Sequence, residues 1–343
     1  MPDETEILAA LFAASLGLTE GSSPQGSAAA REDLWHGFLS RLAAATQAES
    51  ALLRLGGPGR PVTGWQVGAD WDGPAEAVVE RMRSGRVYSQ IDLPGAGPSG
   101  PPLRALRWRL GREARVLLAL RRRGEDFRAV DGLQLSNLIP YLGVVLGGWR
   151  QLEEERARAL LDGQIAAALG GGWILFAPSG QVSAMAEGLE ARLQALAGLG
   201  LRADGRLSLP EEAAQALRLA LAAVAQQPGT VRQVVLSTEP RVELRLGLQT
   251  VGGELQLTGR LRHALSARAL PPDRLARAFG LSRSEARLAA CLCDGLSLAE
   301  AAQVLGWTLE TARSTSKQIY ARMEVSGQPG VLRRMLESGV WLD

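Results

Sequence analysis

Lysine occurs once in these 343 residues, at Lys317, and cysteine and histidine twice each. Cys291 and Cys293 are two residues apart in a predicted helix, so they point to different sides and do not form a metal-ligating pair. Buried packing is the expectation for both, and so few cysteines fit a reducing compartment. His36 and His263 fall in different predicted units, and without clustered cysteines or carboxylates they make no metal or haem site. No cysteine precedes Cys291, which excludes a flavin-cysteinyl photoreceptor in the first 290 residues. Gly170-Gly171-Gly172 lacks a following Lys-Ser/Thr and is no phosphate loop. Neither a nucleophile–base pair nor an acidic cluster around a phospho-accepting aspartate is present. We therefore expect no catalytic residue, no cofactor and no enzyme. The N-terminal apolar run, Ile7–Leu18, is too short to span a bilayer and follows Asp3, Glu4 and Glu6 instead of a basic start. It reads as an amphipathic helix docking on the body or on a second subunit. A soluble cytoplasmic protein with no membrane partner is expected.

What is present is ordinary globular material: 46% hydrophobic residues, with 38 basic against 36 acidic side chains. The length allows two or three domains. The most informative stretch is Leu281–Leu336. Ser282 with Glu285 is a capping box, and apolar residues recur at helical spacing until Asp294-Gly295. A second box, Ser297 with Glu300, opens a short helix ending at Leu305. Gly306 supplies a tight turn, and Thr308 caps a third helix running to about Met323. Glu310, Arg313, Ser314, Lys317 and Gln318 share one broad face of that helix; Ala312, Ile319 and Met323 share the other. The polar face reads either as a solvated surface or as a base-reading surface, since Arg and Lys pair with guanine edges.

This stretch resembles the LuxR-type (GerE-like) helix-turn-helix domain. The family pattern is met by Leu281-Ser282 with Glu285, Gly295 with Ser297, Glu300-Ala301-Ala302, Leu305 with Thr308, Thr311-Ala312-Arg313, and Ile319 with Arg322-Met323 and Val325. About 60 residues are covered. Ala301 and Ala312 replace the usual Ile and Val, and Gly327 and Pro329 stand where Arg and Ala are common. The resemblance implies a bacterial transcription regulator that binds double-stranded DNA as a homodimer. It places Arg313, Ser314 and Lys317 at base-reading positions, Gln318 beside them, and Thr311 against the DNA backbone. Against it stands charge: Leu281–Asp343 holds seven basic and seven acidic residues, whereas DNA affinity rests largely on phosphate neutralisation. A protein-interaction domain that binds DNA only weakly is the alternative.

Upstream, the predicted order is an α+β arrangement of two sensory domains joined by a long helix. Residues 1–30 read as an N-terminal helix and linker. Residues 31–150 combine a helix with strands at Ala51–Leu55, Val62–Val67, Leu103–Leu110 and Ala114–Arg121, a layout that resembles a GAF domain. Arg104, Arg107, Arg109, Arg112, Arg115 and Arg121–Arg123 crowd a hairpin around Gly111. This is either an anion-binding surface or the solvated face of a half-buried hairpin. Trp65, Trp71, Tyr88 and Trp108 are candidate lining for a small-ligand pocket, or plain core. A helix from about Phe127 to Leu169, with 151–171 as connector, carries Leu142, Val145 and Trp149 at heptad-like spacing, and Pro140 should kink it. These residues, with Val331 and Met335 of the last helix, are the dimerisation candidates; packing on its own sheet is the alternative for the long helix. Residues 172–262 resemble a PAS domain through the Ser179-Gly180 turn and the phrase Leu201–Leu209, with Met185-Ala186 where an Asn-Ala pair is common. Residues 271–343 are expected to form an all-α, four-helix helix-turn-helix domain. With receiver, haem and photoactive groups absent, the input is a small ligand or a partner protein.

Overall fold

The computed structural model describes residues 4–17, 28–57, 60–95, 100–110 and 114–342. The expected hairpin turn around Gly111 and most of the expected linker at 19–30 lie outside them. The chain divides into two compact units, Met1–Ala157 and Arg158–Asp343. Both carry an antiparallel sheet with helices, a mixed α+β architecture.

The first unit opens with α1 (Glu4–Leu16) and α2 (Ala28–Thr46). Ile7, Leu11 and Ala14 recur at helical spacing and are buried with Trp35, Phe38, Leu39 and Leu42. The strands β1 (Ser50–Gly57) and β2 (Arg60–Gly68) form a hairpin. The short helix α3 (Glu76–Arg81) leads to β3 (Arg86–Ser89), and β4 (Leu103–Leu110) and β5 (Ala114–Arg121) follow. Pairing gives the order β2-β1-β5-β4-β3. Strand side chains alternate between faces, and two cores result. Leu53, Trp65, Leu106, Trp108, Val116 and Leu118 join α1, α2 and α4 on one face. Tyr88, Leu103, Ala105, Leu117 and Ala119 join Met82 and Leu93 on the other.

The helix α4 (Ala129–Ala168) begins in the first unit and ends in the second. It continues through Pro140. Pro140 and Ser136 both lie on the exposed side, so water can take the carbonyl that proline leaves unpaired. By length and composition α4 could cross a bilayer; its Leu135, Leu138, Leu142 and Leu146 are instead fully or almost fully buried in the first core. Its start is fixed by Asp131, which is fully buried. The Asp131 carboxylate accepts from the Arg128 backbone N–H at 2.8 Å and guanidinium at 2.9 Å, and Arg122 lies 3.9 Å away.

The second unit has β6 (Gly171–Phe176), β7 (Val182–Met185), α5 (Leu189–Ala197), the short pair β8 (Gly200–Leu201) and β9 (Leu207–Ser208), and α6 (Glu211–Gln226). Then come β10 (Arg232–Thr238), β11 (Arg241–Val251) and β12 (Glu254–His263). The sheet order is β10-β11-β12-β6-β7. Leu189, Leu193, Leu217, Leu221 and Val224 of the helices share a core with Ile174, Phe176, Val234, Leu244 and Leu261 of the strands. The long strands β11 and β12 run in unbroken register from Val242↔His263 to Val251↔Glu254.

Among the described residues five α-helices, one more than the four expected, close the chain: α7 (Pro272–Phe279), α8 (Arg283–Cys293), α9 (Leu298–Leu305), α10 (Leu309–Arg322) and α11 (Gly327–Leu336). The core holds Leu288, Ala289, Leu292, Ala301, Ile319, Val331 and Met335. Helix α8 packs against α7, α9, α10 and α11.

Candidate nucleic-acid interface

The sequence writes the geometry of α8–α10 through its caps. Ser282 accepts from the Glu285 N–H at 3.3 Å while Glu285 accepts from the Ser282 N–H at 2.7 Å. Ser297 and Glu300 repeat the pair at 3.3 and 2.8 Å, and those bonds hold the Glu300 carboxyl below its ordinary range. Gly306, at φ 71°, ends α9 in the left-handed conformation that glycine adopts without a Cβ clash. Two residues later the Thr308 hydroxyl accepts from the Thr311 N–H at 3.1 Å and starts α10. The turn between α9 and α10 is therefore fixed at both ends.

Burial then orients α10. Ala312, Ser316, Ile319 and Met323 are inward, whereas Glu310, Thr311, Arg313, Ser314, Lys317 and Gln318 are exposed. Among the described residues the Arg313 and Lys317 side chains make no ion pair or hydrogen bond. The Thr311 hydroxyl is already engaged, 2.8 Å from that of Thr308. All five nominated residues sit on the outer side of one helix, so the structure brings them together.

The even charge count hides how the charges are used. Glu285 is buried, capping α8 and lying 3.4 Å from Arg322 of α10. Asp294 accepts from Ser266 at 2.7 Å, from the Ala267 N–H at 2.6 Å and from Arg268 at 2.8 Å. Glu300 is a cap, and Glu337 pairs with Arg333 at 2.9 Å. Four of the seven carboxylates are thus engaged, two of them with Arg322 and Arg333 of the seven basic residues. Among the described residues of the bundle, Glu310 and Glu324 are left on or beside α10 to oppose Arg313 and Lys317.

Some contacts had no sequence rationale. The Gln328 amide donates to the Leu292 and Leu296 carbonyls at 2.9 and 3.0 Å, tying α11 to the α8–α9 turn. The two departures in this region are structural. Gly327 enters α11 at φ 73°, and Pro329 lies in the first turn, where a missing N–H costs nothing. Cys291 and Cys293 are buried, and burial pushes the Cys293 thiol up to about 11. Beside Cys291 lies a surface groove of about 200 Å³ lined by Leu270, Leu275, Ala286 and Leu305.

The other nominated sites are not assembled as expected. The first sheet separates Trp65 and Trp108, on its helix-covered face, from Tyr88 and Trp71 on the other. The four aromatics cannot line one pocket. Trp65 stacks on Trp35 at 4.8 Å and meets Trp149 edge-on at 5.4 Å. Trp71 lies under Arg121, and the Tyr88 hydroxyl accepts from the Arg83 N–H at 2.7 Å. Leu142, Val145, Val331 and Met335 are likewise buried in the cores of their own units, and Trp149 is partly buried in the aromatic cluster. The heptad-like spacing reported an inward face. Among the described residues no group of three His, Cys, Asp or Glu is placed to hold a metal.

Fold and surface together define a mixed α+β chain ending in a capped helical bundle with an exposed cationic helix. No protein-family model and no curated protein sequence matches it. Among solved structures, the phage VqmA–DPO complex overlaps 55% of this chain and 91% of its own, at 12% identity and a TM-score of 0.24. The complex of Escherichia coli DhaR(N) with DhaL overlaps 75% and 87%, at 15% identity and 0.28. A Vibrio cholerae VqmA dimer overlaps 50% and 84%, at 11% identity and 0.18. Overlap this loose establishes no family.

Proposed function

We propose that this chain is a sequence-specific DNA-binding transcriptional regulator of the LuxR type. Residues 271–343 are its helix-turn-helix domain, and 31–150 and 172–262 its GAF-like and PAS-like sensory domains. The observation that carries this reading is the outer face of α10: Arg313, Ser314, Lys317 and Gln318 exposed together, with both cations free among the described residues. An α-helix fits the major groove, and Arg or Lys there can donate to guanine O6 and N7. Thr311 and the first turn of α10 face the DNA backbone in this reading.

The even charge count favours a protein-interaction domain as the second reading. Locating the carboxylates leaves that balance even, because Glu285 and Glu337 pair with Arg322 and Arg333 and the Glu300 cap keeps its charge. What favours DNA is position: Arg313 and Lys317 are exposed on one face of α10.

Specific binding by so small a cationic surface calls for two copies on two half-sites. Because Leu142 and Val145 face inward, we assign the homodimer contact to the opposite stripe of α4, where Leu133, Tyr141 and Val144 are exposed. Val144→Glu should reduce the dimer fraction in light scattering, whereas an undiminished dimer removes this stripe from the account.

In vitro selection from random duplexes should enrich a motif. Arg313→Ala and Lys317→Ala should each weaken binding to it by roughly 1–3 kcal/mol. Enrichment of no motif by the wild-type dimer would leave the interaction-domain reading standing.

A further inference from the structure

The side of the first sheet that meets α3 concentrates arginine. By strand alternation Arg54 of β1, Arg115 of β5, Arg107 and Arg109 of β4 and Arg86 of β3 all occupy the face that carries Leu117 and Tyr88. Two pairs are directly opposite across strands: Arg109 with Arg115, and Arg107 with Arg86. Like charges in such positions oppose sheet formation. Arg107 is buried, at 6% exposure; its Nη1 donates to the Glu80 and Met82 carbonyls, while its Nε has no partner. Burial, with Arg109 and Arg115 nearby, pulls its guanidinium below the ordinary arginine range. Opposed like charges work against the fold, and the Arg107 carbonyl bonds and the Arg115–Glu80 pair offset part of that.

Where α3 crosses this face there is a cleft of about 90 Å³, between Arg54 and Arg115, with Val62, Pro74, Val79 and Leu117 as apolar walls. That is room for about three waters or one small oxyanion. Arg115 already holds a carboxylate, that of Glu80 at 2.5 Å. Arg54, partly buried at the same cleft, makes no ion pair among the described residues. Glu76 and Glu80 line the cleft too, equal in number to Arg54 and Arg115, so the excess positive charge comes from Arg86, Arg107 and Arg109 on the same face. A guanidinium offers two parallel N–H donors to one oxyanion, so it is the side chain suited to holding one here.

We propose that this cleft binds a small organic oxyanion, a carboxylate or a phosphate ester with a short aliphatic body, between Arg54 and Arg115. The aliphatic part lies against Val62 and Val79, and the oxyanion offsets the crowded arginines. The bound anion ties β1 and β5 to α3, on the sheet face away from Trp65 and Trp108. The proposal is independent of the DNA-binding reading.

The test uses the full-length chain in thermal melts at matched ionic strength, with sodium chloride, sodium phosphate or sodium butyrate at about 10 mM. A ligand that binds only the folded state raises the midpoint. The expected result is a rise of a few degrees in phosphate, in butyrate or in both, relative to chloride. The better salt identifies a phosphoryl or a carboxylate ligand. The rise should vanish in Arg54→Ala and shrink in Arg54→Lys, which keeps the charge but loses the fork. Should Arg54→Ala melt without a cooperative transition, phosphorus-31 line broadening of phosphate by the wild type, reversed by butyrate, supplies the same answer. Equal midpoints in all three salts, or a rise undiminished in a folded Arg54→Ala, would overturn the proposal.

Discussion

The outer face of α10 and the arginine face of the first sheet both present positive charge, and they are built in opposite ways. On α10 the two cations are few, separated by one helical turn, and without an ion pair among the described residues. On the sheet the cations are many, set directly opposite one another, and one of them is buried. Exposed charge on a helix costs the fold little, so its presence says little about folding and can be kept for a partner. Crowded charge on a sheet works against the fold, and needs an offsetting anion or an internal acid such as Glu80. The location of the carboxylates, more than their number, distinguishes the two surfaces.

The largest effect expected is on the tie that holds the first unit together. Asp131→Ala strips a buried carboxylate from Arg128 and Arg122 and should cost about 3 kcal/mol in denaturant unfolding. A loss below about 1 kcal/mol would mean that the start of α4 is held mainly by its apolar face. In the bundle each cap acts locally, so Ser297→Ala should cost only about 1 kcal/mol. The same cap carries a pH signature. Glu300 is lowered in the folded state, so the stability it confers is present above its ordinary value of 4.5 and is lost as pH falls through the folded value. Ser297→Ala should flatten that acid limb, and an unchanged limb would assign it to other carboxylates. Smaller again is Arg109→Glu. Replacing a like pair opposite Arg115 by an unlike one should stabilise the fold by about 0.5 kcal/mol while weakening oxyanion binding, and a destabilised variant would show that the crowding is already offset. The buried thiols should change nothing at neutral pH. With Cys293 held near 11, a thiol reagent should label native protein only as fast as it unfolds.

How much was legible follows the same division. The bundle is specified locally: Ser282 with Glu285, Ser297 with Glu300, Gly306 and Thr308 are within four residues of the groups they bond. Such short-range signals mark α8, α9 and α10 in the sequence itself. The sheet strands were legible from alternation, but α3 and β3 were not. They are six and four residues long and are held by distant partners, as when Arg107 donates to the Glu80 carbonyl at 3.2 Å. Spacing along α4 showed that Leu142 and Val145 share a side, not whether that side meets a sheet or a second chain. Aromatic content likewise could not reveal that Trp108 and Tyr88 lie on opposite faces. Charge counts failed for a related reason, because Glu285 and Asp294 look like any surface acid until their partners are known.

The central claim is that the outer face of α10 reads bases. The direct measurement is fluorescence anisotropy of wild type and of Arg313→Ala/Lys317→Ala, on a selected duplex and on a scrambled one, at one stated salt concentration. The double variant must first match the wild-type melting transition and dimer mass. The account predicts that its preference for the selected duplex collapses to about one, since each bidentate base contact discriminates by roughly 1–3 kcal/mol. A folded double variant that keeps the full preference would contradict it.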